Sequence, residues 1–416
     1  MKTVGLVVEY NPLHNGHKYH FEAAKEKTGA DACVIVMSGN FLQRGEPALL
    51  HKRARAEMAL RLGVDLVIEL PVVYATSNAE MFAHGAISIL DRLGVVDAIC
   101  FGSESGSIEW MHTLAKHLAV EPASFKEILK EKLDQGNAYP IAYAQAASQY
   151  MQSLGFIETP LDQPNNILGF NYLLALERLG SRMEATTIER QKAGYHQKTI
   201  TDQQIASATA LRKLLFEDQK DLPDLASYVP ETTLLVMNRE FQNGTGPVSW
   251  NNFTHPLFHR LLQLTPEKLA DYHEIEEGME YRILAQAKQS HSIHDLLTQA
   301  KNRRITWNRL QRMLLSVLLD LKKSDVRAFR LREGAPYARI LGFSEKGQAL
   351  LREARKKSAI PLVTKVKDGL HPMLDLDLRA SMVYQLGQPT NRSTNFLAEY
   401  QQQPLNSASL SDSLNT

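Results

Sequence analysis

The chain has 416 residues, of which 44% are hydrophobic and 22% charged, and its formal net charge is +1 at pH 7. This balance excludes a disordered chain, and the near-zero charge excludes a uniformly basic nucleic-acid binder, so an RNA partner would need a local basic patch. The length exceeds what one hydrophobic core fills, and two or more domains are expected.

The N-terminal apolar run, residues 3–8, is too short for a signal peptide and is followed by Glu9. No stretch approaches the roughly 20 apolar residues that cross a bilayer. Cys33 and Cys100 lie in separate apolar runs without metal-binding spacing, and both are expected in the core. We predict a cytoplasmic protein with no membrane partner, no protein-held metal and no evident protein partner.

Short runs rich in Val, Ile or Thr alternate with helical patterns up to residue 216. This alternation predicts an α/β fold with a Rossmann-like parallel sheet covered on both faces. The predicted strands are 3–9, 32–37, 64–70, 95–101 and 184–189. The predicted helices are 17–27, 52–62, 78–93, 165–179 and 202–215, the last with Thr201 or Asp202 as its N-cap. The first four precede Gly29, Gly63, Gly94 and Gly180, and glycine is the usual residue just past a helix end.

The pattern becomes mostly helical from about residue 217. One helix carries six apolar residues on a single face: Leu310, Met313, Leu314, Val317, Leu318 and Leu321. Short strands are predicted at 338–343 and 361–366. We therefore expect the Rossmann-like domain over 1–216, a mainly α-helical domain with a small mixed region over 217–398, and a disordered tail over 399–416.

The loop Asn11-Pro-Leu-His-Asn-Gly-His17 lies between the first strand and the first helix. Gly16 lets a ligand approach the backbone, and the helix start offers free N–H groups to a phosphate. His14 and His17 could both donate to a pentavalent phosphorus, which makes them the candidate catalytic residues. The alternative is that His14 caps the loop and His17 lies on a solvated helix face.

A second phosphate clamp is predicted in the segment from residue 205 to 212. Ser207 and Thr209 could donate hydrogen bonds to the β and γ phosphates, and Arg212 could add charge. Taken alone, this segment could also be an ordinary helix.

These two segments together resemble the His-x-Gly-His nucleotidyltransferase superfamily, with 207–212 in place of its Ser-Thr-x-Ile-Arg motif. Ala208 and Leu211 replace the more common serine and isoleucine. The longer strings at 5–17, 37–47, 67–71, 101–104, 164–169, 188–190 and 301–309 resemble the bacterial tRNA(Met) cytidine acetate ligase family. The resemblance covers nearly all of the chain before the tail.

This resemblance implies a nucleotidyltransferase-like catalytic domain followed by a tRNA-binding domain. It implies an ATP-dependent ligase that forms acetyl-adenylate and acetylates N4 of the wobble cytidine of elongator tRNA(Met), releasing AMP and pyrophosphate. Mg²⁺ would be held mainly by the nucleotide. The implied ATP site comprises Val7, Val8, Glu9, Tyr10, Asn11, Pro12, Leu13, His14, Asn15, Gly16, His17, Lys18, Tyr19, His20, Gly102, Asn165 and Arg190.

Basic residues at the head of the predicted helix after residue 301 could grip a tRNA backbone. They are Arg303, Arg304, Arg309 and Arg312, with Lys301 and Trp307 beside them. A second basic set comprises Arg352, Arg355, Lys356, Lys357, Lys365 and Lys367. Both sets could instead be solvated helix faces. Arg44, in the loop 39–47, is a hypothetical acetate contact and could equally be a surface arginine.

Two other functions are compatible with the histidine loop and the Rossmann-like fold. A small-molecule adenylyltransferase, of the pantetheine-phosphate or nicotinate-mononucleotide type, would share the ATP loop but would not need the residues beyond 216. A non-catalytic RNA-binding protein could retain the same fold. The presence of His14, Gly16, His17 and Arg212 together favours a catalyst.

Overall fold

A computed structural model describes residues 1–156, 161–190, 206–390 and 394–410. In these residues eight strands form one sheet in the order β5-β4-β1-β2-β3-β6-β7, with β8 also paired to β6. The first five strands are mutually parallel, and β6 runs antiparallel to β3. The strands are β1 Thr3–Val8, β2 Ala32–Ser38, β3 Leu66–Leu70, β4 Ala98–Ser103, β5 Glu184–Glu189, β6 Ala338–Phe343, β7 Leu362–Val363 and β8 Leu405–Asn406.

The five predicted strands of the N-terminal half are confirmed, with ends shifted by up to three residues. Strand β2 is buried along its whole length, which explains its continuous apolar sequence. Cys33 and Cys100 are buried free thiols, as expected. Strand order reverses between β1 and β4, so the crevice beyond their carboxyl ends is where a parallel sheet of this kind binds ligands.

The helices of the first half are α1 Asn15–Thr28, α2 Lys52–Leu62, α3 Val72–Ala75, α4 Ala79–Arg92, α5 Glu109–Leu118, α6 Ala123–Asp134, α7 Tyr139–Ser153, α8 Pro164–Leu179 and α9 Ala208–Phe216. Helices α1, α2 and α8 end on the predicted glycines in the left-handed region. Helix α9 begins later than predicted, at the N-cap Ser207. The proposed caps Thr201 and Asp202 lie outside the described residues.

The second half contains α10 Glu231–Gln242, α11 Thr254–Leu262, α12 Pro266–Leu269, α13 Met279–Ala287, α14 Ile293–Ala300, α15 Trp307–Leu318, α16 Lys323–Ala328, α17 Glu345–Lys357, α18 Pro372–Gln385 and α19 Ala398–Gln401. All six predicted apolar residues in and just after α15 are buried. Among the helices in the described ranges, none is long and apolar enough to cross a membrane.

The predicted mixed region is not a separate unit, because β6 pairs with β3 and extends the N-terminal sheet. The two predicted domains therefore share one sheet. The predicted strand 361–366 is reduced to β7, Leu362–Val363.

The prediction of a disordered tail is wrong for residues 399–410. Strand β8 pairs with β6, and Arg53 and Arg61 donate to the carbonyls of Gln403 and Leu410. Glu399 forms ion pairs with two buried cations, Lys52 and Arg339. Main-chain pairing and buried ion pairs therefore order residues 399–410, although the polar side chains of this segment predict disorder.

Candidate active site

A cavity of about 240 Å³ opens beyond the carboxyl ends of β1, β4 and β5. It lies at the reversal of strand order, where the sheet topology places a ligand site. Its wall combines the first helix, the loop after β2 and the start of α9. The lining residues are Val7, Val8, Glu9, Tyr10, Asn11, His14, Gly16, His17, Tyr19, His20, Gln43, Arg44, Glu46, Phe82, Phe101, Gly102, Asn165, Leu168, Tyr172, Ile188, Glu189, Arg190, Ser207, Ala208, Thr209 and Arg212.

The cavity brings together both candidate histidines, the clamp segment from the far side of the sequence and most of the implied ATP site. Four of the implied residues do not line it. Pro12 and Leu13 are buried beside it, Asn15 donates to the carbonyl of Ser227, and Lys18 is exposed.

His14 and His17 form a reciprocal cap at the start of α1. The Nδ1 atom of His14 accepts from the backbone N–H of Gly16 at 3.1 Å, and Nδ1 of His17 accepts from the N–H of His14 at 3.3 Å. The two rings are in contact, with centroids 3.8 Å apart and planes inclined by 31°. The suggestion that His14 caps the helix is therefore confirmed, but it does not compete with a role in catalysis, because both rings also line the cavity.

The capping bonds determine which nitrogen of each ring carries the proton. Since Nδ1 is an acceptor in both histidines, the neutral rings are protonated on Nε2. Burial lowers the pKa of His14 to about 3, with Arg190 and Arg212 adding to the effect. Burial likewise lowers the pKa of His17, and the charge of His14 lowers it further. At neutral pH both residues are neutral donors with a defined tautomer.

Arg212 connects α9 to the histidine loop. Its Nη1 donates to the carbonyl of Asn11 and its Nη2 to Oε1 of Glu46, each at 2.9 Å. Ser207 caps α9 by accepting from the N–H of Ala210, so the helix start faces the cavity beside the histidines. The two predicted clamps thus form one cavity wall.

Arg190 and Asn165 lie on the opposite side, after β5 and at the start of α8. Arg190 donates to Oδ1 of Asn165 at 3.2 Å, and Glu104 accepts from the side chain of Asn165 at 2.6 Å. A Cβ on Gly102 would lie 3.2 Å from the Arg190 side chain. Glycine at position 102 therefore leaves room for the Arg190 side chain beside β4.

The loop 39–47 supplies two wall residues to which the sequence gave no role, Gln43 and Glu46. It also places Arg44 in the cavity wall, and the contact of Arg44 with acetate stays a prediction. Arg55 anchors this loop from below, because it donates to the carbonyls of Glu9, Gly39 and Leu50 and is fully buried. The other unassigned lining residues are Phe82, Phe101, Leu168, Tyr172, Ile188, Glu189 and Ala208. Five of these seven lie within segments that carried the resemblance, but no role was assigned to them there; Phe82 and Tyr172 lie outside every such segment.

The first basic set divides into two kinds of residue. Arg303 and Arg304 are exposed in the turn before α15. Arg309 is paired with Glu276 and Glu277, and Arg312 with Glu274. The second basic set is exposed on α17 and in the segment around β7.

The start of α15 packs directly on the loop 39–47. Gln311 donates to the carbonyl of Arg44 at 2.8 Å. A Cβ on Gly45 would lie 2.5 Å from the backbone nitrogen of Arg312, so only glycine fits there. The basic turn before α15 is therefore joined to the cavity wall.

A model of the HIGH Nucleotidyl Transferase family matches residues 1–399. The chain is 42% identical to the tRNA(Met) cytidine acetate ligase of Bacillus velezensis, with 97% of this chain and 96% of the relative covered. It is 40% identical to that of Halothermothrix orenii, with 89% and 88% covered.

Two crystal structures of Thermotoga maritima TmcAL are similar over 98% of this chain and 99% of theirs. The apo form has a TM-score of 0.92 at 36% identity. The form bound with alpha-thio ATP has a TM-score of 0.90 at 35% identity.

Proposed function

Because this chain belongs to the tRNA(Met) cytidine acetate ligase family of HIGH nucleotidyltransferases, we propose that it activates acetate as acetyl-adenylate and acetylates N4 of the wobble cytidine of elongator tRNA(Met). It is an ATP-dependent ligase. The observation that carries the chemistry is the His14 and His17 pair, whose capping bonds leave two Nε2–H donors in a cavity that also holds Arg190 and Arg212.

In the activation step an acetate oxygen attacks the α-phosphorus of ATP. The new P–O bond forms as the bond to pyrophosphate breaks, and negative charge moves onto the leaving bridging oxygen. His14 and His17 donate to these oxygens, and the arginines offset the charge. Donors held in place before the reaction cost no reorganisation during it, which is the contribution of the reciprocal cap.

In the transfer step the cytidine amine attacks the acetyl carbon. A C–N bond forms, the C–O bond to AMP breaks, and N4-acetylcytidine remains on the tRNA. A wobble base is unpaired and can be turned out of the anticodon loop into a protein cavity. We infer that the exposed Arg303 and Arg304 contact the tRNA backbone; in support of this, their turn leads into α15, which packs on the cavity wall.

The structure and the relatives favour the ligase over the two alternatives, a small-molecule adenylyltransferase and a non-catalytic RNA-binding protein. The adenylyltransferase would not need the residues beyond 216, whereas those residues contribute β6 to the sheet and α15 to the support of the cavity wall. The relatives named as tRNA(Met) cytidine acetate ligases also align along this whole length.

Mg²⁺ would arrive with the nucleotide. Among the residues that the structure describes, no group of three His, Cys, Asp or Glu side chains is arranged to hold an ion. Three carboxylates, Glu9, Glu46 and Glu189, line the cavity, and Glu46 is paired with Arg212.

The test is transfer of labelled acetate to purified elongator tRNA(Met) with ATP, compared with a tRNA carrying uridine at the wobble position. Label on the first tRNA alone is expected, with one pyrophosphate released for each acetyl group. Equal labelling of both would contradict the wobble assignment. Pyrophosphate release that requires a phosphorylated small molecule instead of acetate would contradict the ligase.

A further inference from the structure

Glu9 is a carboxylate in a cavity whose ligands are anions. Triphosphate and acetate are complemented by the donors and cations of the wall, including Arg44, Arg190 and Arg212. A carboxylate placed among them repels both substrates. Its position in the cavity wall directly after β1 therefore gives it no favourable contact with the triphosphate or with acetate.

The structure holds Glu9 firmly through one oxygen only. Its Oε1 accepts from the backbone N–H of Gln43 at 2.8 Å and from the hydroxyl of Ser38 at 3.4 Å. Arg55 fixes its main-chain carbonyl at 2.6 Å. In the described residues both side-chain hydrogen bonds fall on Oε1, which leaves Oε2 to accept from a ligand.

Two other carboxylates line the cavity. Glu189 is exposed at the end of β5, and Glu46 is bonded differently from Glu9. Its Oε1 accepts from Arg212 at 2.9 Å, and this pair joins the loop 39–47 to α9. Glu46 thus positions a cation, whereas the Glu9 side chain is bonded to no cation among the described residues.

The second chemical step lacks a proton acceptor in the proposed function. The N4 lone pair of cytidine is delocalised into the ring, so the amine is a weak nucleophile and must lose a proton as it attacks. Both catalytic histidines are donors on Nε2 and cannot accept this proton. General bases contribute roughly 10²- to 10⁴-fold to such steps.

We propose that Glu9 is the general base of acetyl transfer, an inference that rests on the proposed function. As the C–N bond forms and the C–O bond to AMP breaks, one N4 proton passes to Oε2 of Glu9, and AMP leaves with the electron pair. The proton is then released to solvent.

The surroundings of Glu9 strengthen it as a base. Burial raises its pKa, the Gln43 N–H lowers it, and the nearby Glu46 raises it again. Arg44 and Arg55 lower it, but the net direction is upward. A carboxylate with a raised pKa holds an abstracted proton better than a solvated one.

The test separates the two half-reactions in the full chain. Glu9→Gln keeps an oxygen that accepts from the Gln43 N–H, so the loop is preserved while the base is lost. Adenylation is followed as acetate-dependent exchange of labelled pyrophosphate into ATP without tRNA. Transfer is followed by adding tRNA to enzyme preloaded with ATP and labelled acetate. We expect transfer to fall by roughly 10² or more relative to adenylation.

Glu46→Gln is the matched control, because it removes a neighbouring carboxylate that holds Arg212. We expect Glu46→Gln to slow adenylation more than transfer. Equal losses in both half-reactions of Glu9→Gln, no loss, or a loss mainly in adenylation would overturn the assignment. If the wild-type enzyme exchanges pyrophosphate but never labels tRNA, the proposed function fails and the Glu9 proposal with it.

Discussion

Replacing His14 with asparagine separates its two roles, which are the N-cap of α1 and the Nε2–H donor to the reacting phosphate. Asparagine is a good N-cap, and its Oδ1 can accept from the N–H of Gly16 as Nδ1 of His14 does at 3.1 Å. It has no counterpart to the Nε2–H donor. The substitution therefore preserves the start of α1 and removes one hydrogen bond to the reacting phosphate.

The expected magnitudes differ for rate and stability. Loss of one preorganised donor costs about 10²- to 10³-fold in rate, or roughly 3–4 kcal/mol of transition-state stabilisation. The unfolding free energy of His14→Asn should match that of the wild type. His14→Ala should lose the same rate and also about 1 kcal/mol of stability, because the cap is removed.

The assay is acetate-dependent pyrophosphate exchange at saturating ATP, with urea unfolding of each variant. His112→Asn serves as the control, since His112 lies on α5 and does not line the cavity. Wild-type exchange in His14→Asn would refute the proposed role of the Nε2–H group. A loss of stability in His14→Asn equal to that in His14→Ala would refute the assignment of the cap.

Three further outcomes follow from the packing. Gly45→Ala at φ +77° would place a methyl group 2.5 Å from the Arg312 nitrogen, and urea unfolding should show a loss of about 1–3 kcal/mol; unchanged stability would contradict this contact. Glu399→Gln should cost about 3 kcal/mol, since the buried cations Lys52 and Arg339 would then share the single carboxylate of Glu69. Burial raises the pKa of Glu399, but its two cations bring it to about 2, so the wild type, unlike the variant, should lose this stability as pH falls from 4.5 toward 2. Charge removal at Arg303 and Arg304 should reduce the salt slope of tRNA binding by roughly 1 for each phosphate contact, and an unchanged slope would exclude the contact.

Local signals in the sequence were enough to place the centre of the site. Alternation of short apolar runs with helices predicted the parallel sheet, and the position of His14 and His17 after its first strand predicted the ligand crevice. Arg212 was assigned to the same site from 195 residues away, and its hydrogen bond to Asn11 joins the two segments. Such features can be predicted because turns and helix N-termini are determined by residues that are close in the sequence.

Contacts that depend on the whole fold could not be predicted in this way. Strand β6 was predicted with its observed bounds, but its pairing with β3 was not. An antiparallel pairing between strands some 270 residues apart leaves no periodic signal in the sequence. The order of the segment 399–410 was missed for a related reason. Its polar composition predicts disorder, but its stability comes from main-chain pairing and from Glu399 facing Lys52 and Arg339.

The proximity of the proposed tRNA contact to the ATP cavity arises from one loop. Gln43 and Arg44 line the cavity, and the next residue, Gly45, packs on the backbone of α15. A tRNA held at the exposed turn before α15 would therefore press on an element that supports the cavity wall. Acetyl-adenylate must meet its amine before it meets water, and a shared loop lets tRNA docking act on the cavity that holds the intermediate. On this geometry the C-terminal half supports the wall of the cavity through α15, although the described lining residues all come from the N-terminal half.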